Sequence, residues 1–322
     1  MSLENTDAQT RAGFTAIIGA PNAGKSTLVN ALVGEKVTIV THKVQTTRFQ
    51  LRGIALFNNT QVVLVDTPGI FNPRDRLDRS MVHAAWTGTK DASAIIHVVD
   101  APAYLRVING DEPSSQDKLG RKDTDRVIEG LKKRAGGETA IWLALNKVDL
   151  IDHGDLLQLV SHFQKIDVFN EVFLISATNG EGLGALKNAL ETAMPEGPWL
   201  YPADQAADIP TRLIAAEVTR EKLFLRLHDE LPYNSSVETE NWQENRDGSV
   251  KIEQIIYVRK KSQKPIVLGK GGQTIKAIGA ASRADLSEWL GRKVHLFLFV
   301  KVRENWMEER ERYTEFGLEF DV

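Results

Sequence analysis

A glycine-rich stretch near the start of the chain has the residue types and the spacing to hold phosphate. Residues 19–26 fit the pattern G-x-x-x-x-G-K-[ST] and directly follow an apolar run at 14–18. Glycines at both ends of such a loop let backbone N–H groups and a helix N-terminus point at an anion. We expect Lys25 to reach the β- and γ-phosphates and Ser26 to bind Mg²⁺. The pattern predicts a site for a nucleoside triphosphate.

Asp66 and Gly69 form a D-x-x-G motif at the end of the apolar run 62–65. A carboxylate near Mg²⁺ can complete the coordination of the metal, and glycine lets the backbone approach a γ-phosphate closely. This short motif is common by chance, so its position directly after a strand-like run is what gives it weight. We predict that Asp66 binds the metal and that Gly69 lies beside the phosphate.

Asn146, Lys147 and Asp149 form an N-K-x-D motif after the run 139–145. A carboxylate can accept two hydrogen bonds from the N1–H and N2–H₂ groups of guanine, which adenine does not offer. Farther along, Ser176 and Ala177 follow the run 171–175, and we expect a backbone N–H there to contact guanine O6. These residues favour GTP over ATP.

The motifs follow short apolar runs that alternate with helical patterns. Continuous apolar runs such as 62–65 and 94–99 are typical of strands buried on both faces of a parallel sheet, whose carboxyl edge binds ligands. The order predicts an α/β fold, a P-loop domain with a mostly parallel sheet and helices on both faces. The polar segment 104–125 is predicted to be largely an exposed loop.

A proline-rich stretch divides the 322 residues into two predicted domains. Residues 194–202 contain three prolines and one glycine and predict a stiff connection. We assign residues 1–198 to a GTPase domain, 199–208 to a linker and 209–322 to a second domain with an acidic tail.

The second domain shows both helical and strand periodicity. Residues 210–231 repeat apolar side chains at spacings of three and four, whereas 250–258 and 294–302 alternate as half-buried strands do. The combination predicts an α+β fold.

Charge is unevenly distributed along a chain whose net charge is only −3. Residues 251–303 carry twelve Lys and Arg against three Asp and Glu, and both flanking segments are acidic. A segment this cationic suggests a polyanionic partner, most simply a nucleic acid. Within it, a G-x-x-G loop at 269–272 joins two helical patterns. The residues that we expect to contact this nucleic acid are Gly269, Lys270, Gly271, Gly272, Lys276, Lys260 and Lys264.

Composition excludes several other classes of protein. The sequence has no cysteine, which excludes disulfides, cysteine-bound zinc or iron–sulfur clusters, and thiol chemistry. The longest apolar runs are too short to span a bilayer, and the polar start does not resemble a signal peptide. We therefore expect a cytoplasmic protein.

The five motifs and their order resemble those of translation-factor-type GTPases. The resemblance implies that either Thr46 or Thr47 is the switch I threonine that reaches Mg²⁺, and we favour Thr47. The predicted metal ligands are then Ser26, Thr47 and Asp66. The full set of predicted nucleotide-binding residues is Gly19, Asn22, Ala23, Gly24, Lys25, Ser26, Thr27, Asp66, Gly69, Asn146, Lys147, Asp149, Ser176 and Ala177.

Catalysis is predicted to be slow, because Gly69 is followed by Ile70 and Phe71, which cannot orient a water by hydrogen bonding. The sequence resembles the subgroup of GTPases in which a P-loop asparagine helps bind K⁺ near the phosphates, and this implies that role for Asn22. We hypothesise that K⁺ replaces an arginine finger here. The residues assigned to catalysis are Lys25, Asn22, Thr47 and Gly69.

The basic G-x-x-G loop between two helices resembles that of KH domains, which clamp about four nucleotides of single-stranded RNA. Together with Gln45 to Arg48 in switch I and the runs 220–223 and 230–233, the chain resembles the Era family of bacterial GTPases over nearly its whole length. The resemblance implies that GTP or GDP and Mg²⁺ bind, that 16S ribosomal RNA binds near its 3′ end, and that the chain acts in maturation of the 30S subunit. It also implies a monomer that associates peripherally with the inner face of the cell membrane.

Two other functions remain open at this point. A GTPase acting on large-subunit ribosomal RNA or on tRNA would share most of these motifs. A metabolic P-loop kinase or ATPase would share the phosphate loop, although the N-K-x-D motif argues against it. In the leading interpretation, we expect GTP to favour RNA binding and hydrolysis to promote release.

Overall fold

A mostly parallel sheet forms the centre of the first part of the chain. The computed structural model describes residues 10–41, 43, 47–228 and 231–322. Thr46, the alternative switch I threonine, together with Gln45 and Glu230 of the motifs above, lies outside these residues. The elements of this part are β1 (Arg11–Gly19), α1 (Lys25–Val33), β2 (Leu51–Phe57), β3 (Thr60–Asp66), α2 (Arg76–Thr87), β4 (Ala94–Asp100), α3 (Ala101–Asn109), α4 (Ser115–Lys132), β5 (Ala140–Asn146), α5 (His153–Gln164), β6 (Glu171–Ile175), α6 (Leu183–Ala193) and β7 (Ala207–Asp208).

The strand order explains why the sequence motifs meet. The sheet runs β6-β5-β4-β1-β3-β2-β7, with parallel pairing from β6 through β3 and antiparallel pairing of β2 with both of its neighbours. The register pairs Ile17 with Asp66 and Asp100 with Asn146. Because parallel strands end at the same edge, the residues that follow β1, β3, β4 and β5 lie along one rim.

Helices cover both faces of this sheet. Neighbouring residues such as Ile17 and Ile18, or Ile95 and Ile96, are each at most 2% exposed although their side chains point to opposite faces. One of the resulting clusters packs Ile18, Ile95 and Ile141 against Val127 and Leu131 of α4. The predicted α/β fold is confirmed.

The prediction that residues 104–125 form a loop is wrong. They belong largely to α3 and α4, joined by a short turn. Ser114 caps α4 by accepting the N–H of Asp117, whose carboxylate in turn accepts the N–H of Ser114. The apolar stripe of α4 lies mostly beyond residue 125, so its polar first turns carry little hydrophobic periodicity and read as a loop.

A three-stranded sheet organises the second part of the chain. Its strands are β8 (Ser235–Glu244), β9 (Val250–Val258) and β10 (Val294–Val302). Their order is β10-β9-β8, with β8 antiparallel and β10 parallel to β9. Leu223, Phe224, Ile256, Val267 and Val300 share one core cluster of this sheet and its helices. The α+β prediction is confirmed. The helices of this part are α7 (Thr211–Arg226), α8 (Gln263–Leu268), α9 (Gln273–Trp289) and α10 (Arg310–Glu315).

The described residues fall into two compact units whose boundaries differ from the predicted domains. The first unit contains the described residues up to Thr38, Thr47–Asp208 and Phe316–Val322, and the second contains the described residues of 39–46 and Ile209–Glu315. The predicted linker 199–208 belongs to the first unit, because Gln61 Oε1 accepts the N–H groups of Leu200 and Tyr201 at 2.8 and 2.9 Å and β7 pairs with β2. Of the helices described, none combines the length and hydropathy needed to cross a membrane.

We expect Asp117→Asn to destabilise the fold by about 1–2 kcal/mol at pH 7, because it removes charged hydrogen bonds within α3 and α4. Arg106 donates to the Asp117 carboxylate at 2.7 and 3.1 Å and holds its pKa at about 2, below the ordinary value of 3.8, with Ser114 adding to the effect. A depressed pKa gives stability above the ordinary value that is lost as pH falls through the folded value. Urea unfolding of both proteins should therefore show a constant difference above pH 5 that shrinks between pH 4 and pH 2.

Glu129→Gln is the matched control on the same helix. Its ion pair with Lys132 is exposed, so its loss should change the free energy of unfolding by less than about 0.5 kcal/mol. Equal destabilisation by the two substitutions would contradict the assignment.

Candidate nucleotide and RNA sites

The phosphate loop connects β1 to α1 through backbone conformations that favour glycine. Gly24 has φ 97° and Asn22 has φ 63°, both in the left-handed region. A Cβ atom on Gly24 would lie 2.1 Å from Nδ2 of Asn146, so this position has no room for a side chain. The predicted contacts Gly19, Ala23 and Thr27 lie at the end of β1, in the loop and in the first turn of α1.

Lys25 is buried beneath the loop. Its ammonium group donates to the carbonyl oxygens of Gly19 at 3.2 Å and Ala20 at 2.9 Å. Burial lowers its pKa to about 8, and the nearby Asp66 carboxylate partly opposes this shift. Backbone carbonyls of the phosphate loop therefore already hold Lys25 at the place where the nucleotide phosphates would bind.

Ser26, Thr47 and Asp66 are brought together as the sequence predicts for a metal site. The hydroxyl oxygens of Ser26 and Thr47 are 3.0 Å apart, and Ser26 donates to Oδ2 of Asp66 at 2.7 Å. This 3.0 Å separation equals the spacing of about 3 Å between adjacent ligands of octahedral Mg²⁺. Oδ1 of Asp66 is buried and has no partner among the described residues. The oxygen set therefore fits Mg²⁺, and the unpaired Oδ1 could accept from a water bound to it.

Sequence reasoning missed Thr38, whose hydroxyl also donates to Oδ2 of Asp66, at 3.0 Å. Burial raises the pKa of Asp66, and the hydrogen bond of Ser26, the charge of Lys25 and the hydrogen bond of Thr38 act in the opposite direction. Thr38 belongs to no recognised motif, and nothing in its neighbours marks it. Only the fold places it beside the carboxylate.

Gly69 packs directly against the phosphate loop. A Cβ atom there would lie 2.9 to 3.1 Å from three atoms of Pro21, two of them backbone. The next residue, Ile70, donates its N–H to the carbonyl of Gly19 at 3.0 Å and its side chain is fully buried. Gly69 and Ile70 therefore contribute backbone groups, and no polar side chain, to the site.

Asn146 links the loops that surround the predicted base site. Its Nδ2 donates to the carbonyl of Ala23 at 2.9 Å, and its Oδ1 accepts the N–H of Ala177 at 3.0 Å. Lys147 donates to the carbonyl of Asn22 at 3.2 Å and pairs with Asp100. Asp100 was not predicted as a site residue, although its position at the carboxyl end of β4 is a signal that could have found it.

The other residues predicted to contact the base are Asp149, Ser176 and Ala177. Asp149 is exposed in a short 3₁₀ turn after β5. Ser176 is buried and its N–H donates to the carbonyl of Glu181 at 3.0 Å, while that of Ala177 is donated to Asn146. The predicted hydrogen bond from this segment to guanine O6 stays a prediction.

The G-x-x-G loop of the second unit combines one crowded glycine with open ones. A Cβ atom on Gly269 would lie 2.2 Å from the hydroxyl of Thr274 and 2.8 Å from its backbone nitrogen. At Gly271 there is nothing within 4 Å, and at Gly272 only the side chain of Lys276. All three have positive φ. The first glycine is thus needed for packing, and the next two leave the backbone open to a ligand.

Five exposed lysines lie in this loop or close to it in sequence. Among the residues described, none of them lies within ion-pair distance of a carboxylate, so their charge is available to a polyanion. Ile266, just before the loop, is 57% exposed. It was not predicted as a site residue, although its position beside the loop is a signal that the sequence contains. The lysines are Lys260, Lys261, Lys264, Lys270 and Lys276.

We expect Asp149→Asn to weaken GDP binding by about 100-fold or more, because two charged hydrogen bonds to guanine are lost. The same substitution should strengthen binding of XDP, since the asparagine amide can donate to the additional carbonyl of xanthine. Competition with a fluorescent nucleotide measures both. Asp152→Asn, another exposed aspartate after β5 without a capping hydrogen bond, should bind GDP like the wild type. Unchanged GDP affinity in Asp149→Asn would contradict the role given to Asp149.

Models of two protein families match parts of the chain. Residues 14–147 match the model described as 50S ribosome-binding GTPase, and residues 230–307 match the model of the KH domain. The two matches coincide with the nucleotide site of the first unit and with the G-x-x-G loop of the second.

Similar proteins of known family align with almost the entire chain. GTPase Era of Maricaulis maris is 58% identical over 317 residues, which is 98% of this chain and 100% of the relative. GTPase Era of Caulobacter vibrioides is 55% identical over 320 residues, 99% of this chain and 100% of the relative.

Two solved structures are similar over both units. A crystal structure of Era in complex with MgGDPNP and nucleotides 1506–1542 of 16S ribosomal RNA has a TM-score of 0.85 at 32% identity and covers 97% of this chain and 100% of that one. A structure of Aquifex aeolicus Era bound to GDP and AlF₄⁻ has a TM-score of 0.83, with the same identity and coverage. The chain therefore belongs to the Era family of GTPases.

Proposed function

We propose that the chain binds GTP, hydrolyses it slowly, and acts as an assembly factor of the small ribosomal subunit by binding 16S ribosomal RNA near its 3′ end. One observation carries this proposal: the same chain contains a nucleotide site that fits Mg²⁺ and an open G-x-x-G loop. Five exposed lysines near that loop form no ion pair with a described carboxylate. The related Era structure contains MgGDPNP and nucleotides 1506–1542 of 16S ribosomal RNA. The nucleotide state controls RNA affinity, with GTP favouring binding and hydrolysis promoting release.

The residues of the first unit bind and orient GTP. Backbone N–H groups of the loop 19–24 and Lys25 hold the phosphates, and Asp149 selects guanine. Ser26, Thr47 and Asp66 would hold Mg²⁺, and the metal would supply charge neutralisation for phosphoryl transfer. Gly69 brings backbone close to the γ-phosphate.

Hydrolysis is slow because the position after Gly69 carries a buried isoleucine. Ile70 is 0% exposed and offers only its backbone N–H, which is already donated to Gly19. A water is therefore not oriented by a side chain at this position. Asn22 lies in the phosphate loop with φ 63°, and we propose that it binds a monovalent cation that supplies the missing positive charge.

We expect GTP hydrolysis to be faster in KCl than in NaCl at equal ionic strength, because K⁺ held near Asn22 neutralises charge in the transition state. Asn22→Ala should reduce the rate in KCl to about the rate in NaCl while retaining GDP binding. Single-turnover hydrolysis of radiolabelled GTP measures both. Equal wild-type rates in the two salts would exclude a K⁺ requirement.

We expect Gly271→Asp to weaken RNA binding by about tenfold or more without changing GDP affinity, because it places a carboxylate where the RNA phosphates approach. Gly291→Asp is the matched control, since Gly291 also has positive φ, 62° against 60° for Gly271, and nothing within 4 Å of its Cβ position. Filter binding with nucleotides 1506–1542 of 16S ribosomal RNA measures the affinity.

A uniform loss in both glycine variants would indicate repulsion by net charge and not a specific loop contact. Crosslinking of the wild-type chain to cellular RNA identifies the natural target, with Gly271→Asp as the negative control. Crosslinks confined to large-subunit RNA or to tRNA would replace the proposed target with one of those RNAs. Association with the 30S subunit, peripheral membrane association and a monomeric state are further predictions that follow from the family resemblance.

A further inference from the structure

The last described residues of the chain lie along the outward face of α2. This helix follows the D-x-x-G motif, which the resemblance to translation-factor-type GTPases assigns to switch II. Arg76, Arg79 and His83 are spaced by three and four residues and share that face. The Arg76 guanidinium lies over the ring of Phe320 at 4.3 Å, Arg79 Nε donates to the carbonyl of Val322 at 3.2 Å, and His83 Nε2 is 3.4 Å from a carboxylate oxygen of Glu319. The first two turns of α2 therefore contact one short segment.

The first residue of the same segment contacts the other switch. The rings of Phe316 and Phe49 are stacked, with centroids 5.8 Å apart and planes 4° from parallel. Phe49 is 4% exposed and follows Thr47, the proposed Mg²⁺ ligand, by two residues. A segment of seven residues thus contacts the end of switch I and the outward face of the first two turns of α2.

The segment is attached without a spacer to α10 of the second unit, which ends at Glu315. That helix is anchored in its own unit: Arg312 pairs with Glu238, and the Tyr313 hydroxyl donates to the carbonyl of Met307 at 2.7 Å. Tyr313 is 2% exposed. Because Phe316 directly follows α10, a displacement of α10 would be transmitted through the backbone to the segment that contacts Phe49 and α2.

From these contacts we infer that residues 316–322 form a strap that positions both switch segments and transmits their nucleotide state to the RNA-binding unit. The inference rests on the proposed GTP-controlled RNA binding and assigns the segment that carries it. Phe316 and Phe320 are positioning residues, since they touch Phe49 and α2 and not the nucleotide.

The strap contacts are of a kind that can form and break repeatedly. The contact between His83 and Glu319 is between exposed side chains, and both phenylalanines are only partly buried, whereas Leu318 between them is 6% exposed. Such exposed charge and ring contacts are weak individually. The strap can therefore bias an equilibrium between switch conformations without locking it.

The test compares RNA affinity in the GDP form with that in the form bound to a non-hydrolysable GTP analogue, for the full chain and Phe316→Ala/Phe320→Ala. Filter binding with nucleotides 1506–1542 of 16S ribosomal RNA gives the ratio of the two dissociation constants. We expect the ratio in the double variant to fall by about three- to tenfold, because the ring contacts that couple the switches to α10 are lost. By reciprocity, RNA should change the affinity for the GTP analogue by the same reduced factor.

Phe316→Tyr/Phe320→Tyr, which keeps both rings, should restore the wild-type ratio. Leu157→Ala/Leu200→Ala, which removes two exposed apolar side chains elsewhere in the first unit, should leave it unchanged. Thermal unfolding checks that the variants fold, and Phe320→Ala alone is a milder second variant for which we expect a smaller fall in the same direction.

Two outcomes separate the strap from the function on which it rests. A large wild-type ratio that is retained in Phe316→Ala/Phe320→Ala, or that falls equally in the leucine variant, would overturn the strap alone. A wild-type ratio near one would overturn GTP-controlled RNA binding, and with it any segment proposed to transmit it.

Discussion

Two opposite charges buried at the carboxyl edge of the first sheet determine the electrostatics of the nucleotide site. Lys25 is 6% exposed and Asp66 is 0% exposed, and burial shifts the pKa of each toward its neutral form, down for the lysine and up for the aspartate. Removing two charges from water costs more free energy than their attraction usually returns. Backbone carbonyls on Lys25 and the hydroxyls of Ser26 and Thr38 on Asp66 offset part of this cost. Phosphate oxygens and Mg²⁺ complete the set of partners, so binding of nucleotide stabilises the fold as well as occupying the site.

The strands and the motifs that follow them were predictable because one physical constraint fixes both. A strand buried on two faces must be apolar throughout, so β3 and β5 stand out in the sequence, and polar residues directly after them must lie at the rim where the chain can turn. Helix α4 was missed for the opposite reason. The first turns of α4 are solvent-facing and are held by a capping box and the Arg106–Asp117 ion pair, contacts that leave no hydrophobic period to detect.

Residues that act through other residues were not predictable from spacing. Thr38 and Asp100 each lie in contact with a predicted site residue, Asp66 and Lys147, yet neither belongs to a motif, because the distances that matter are set by the sheet and not by the sequence interval. Asn146, which does belong to a motif, also makes contacts that its sequence spacing does not predict. Its contact with the nucleotide stays a prediction, and in the structure its amide group joins the phosphate loop to the segment at Ala177.

The division of the chain into units has a consequence for synthesis on the ribosome. The first unit is completed by Phe316–Val322, which emerge only after all of the RNA-binding unit has been made. Within the second unit, Val40 donates its N–H to Glu221 of α7 at 3.0 Å. The segment around Val40 is synthesised early and can form this contact only after α7 has been synthesised. Domains generally fold in order from the N-terminus during synthesis. In this chain the GTPase core can form early, but its two switches acquire their final contacts only when translation of the second unit, and then of residues 316–322, has finished.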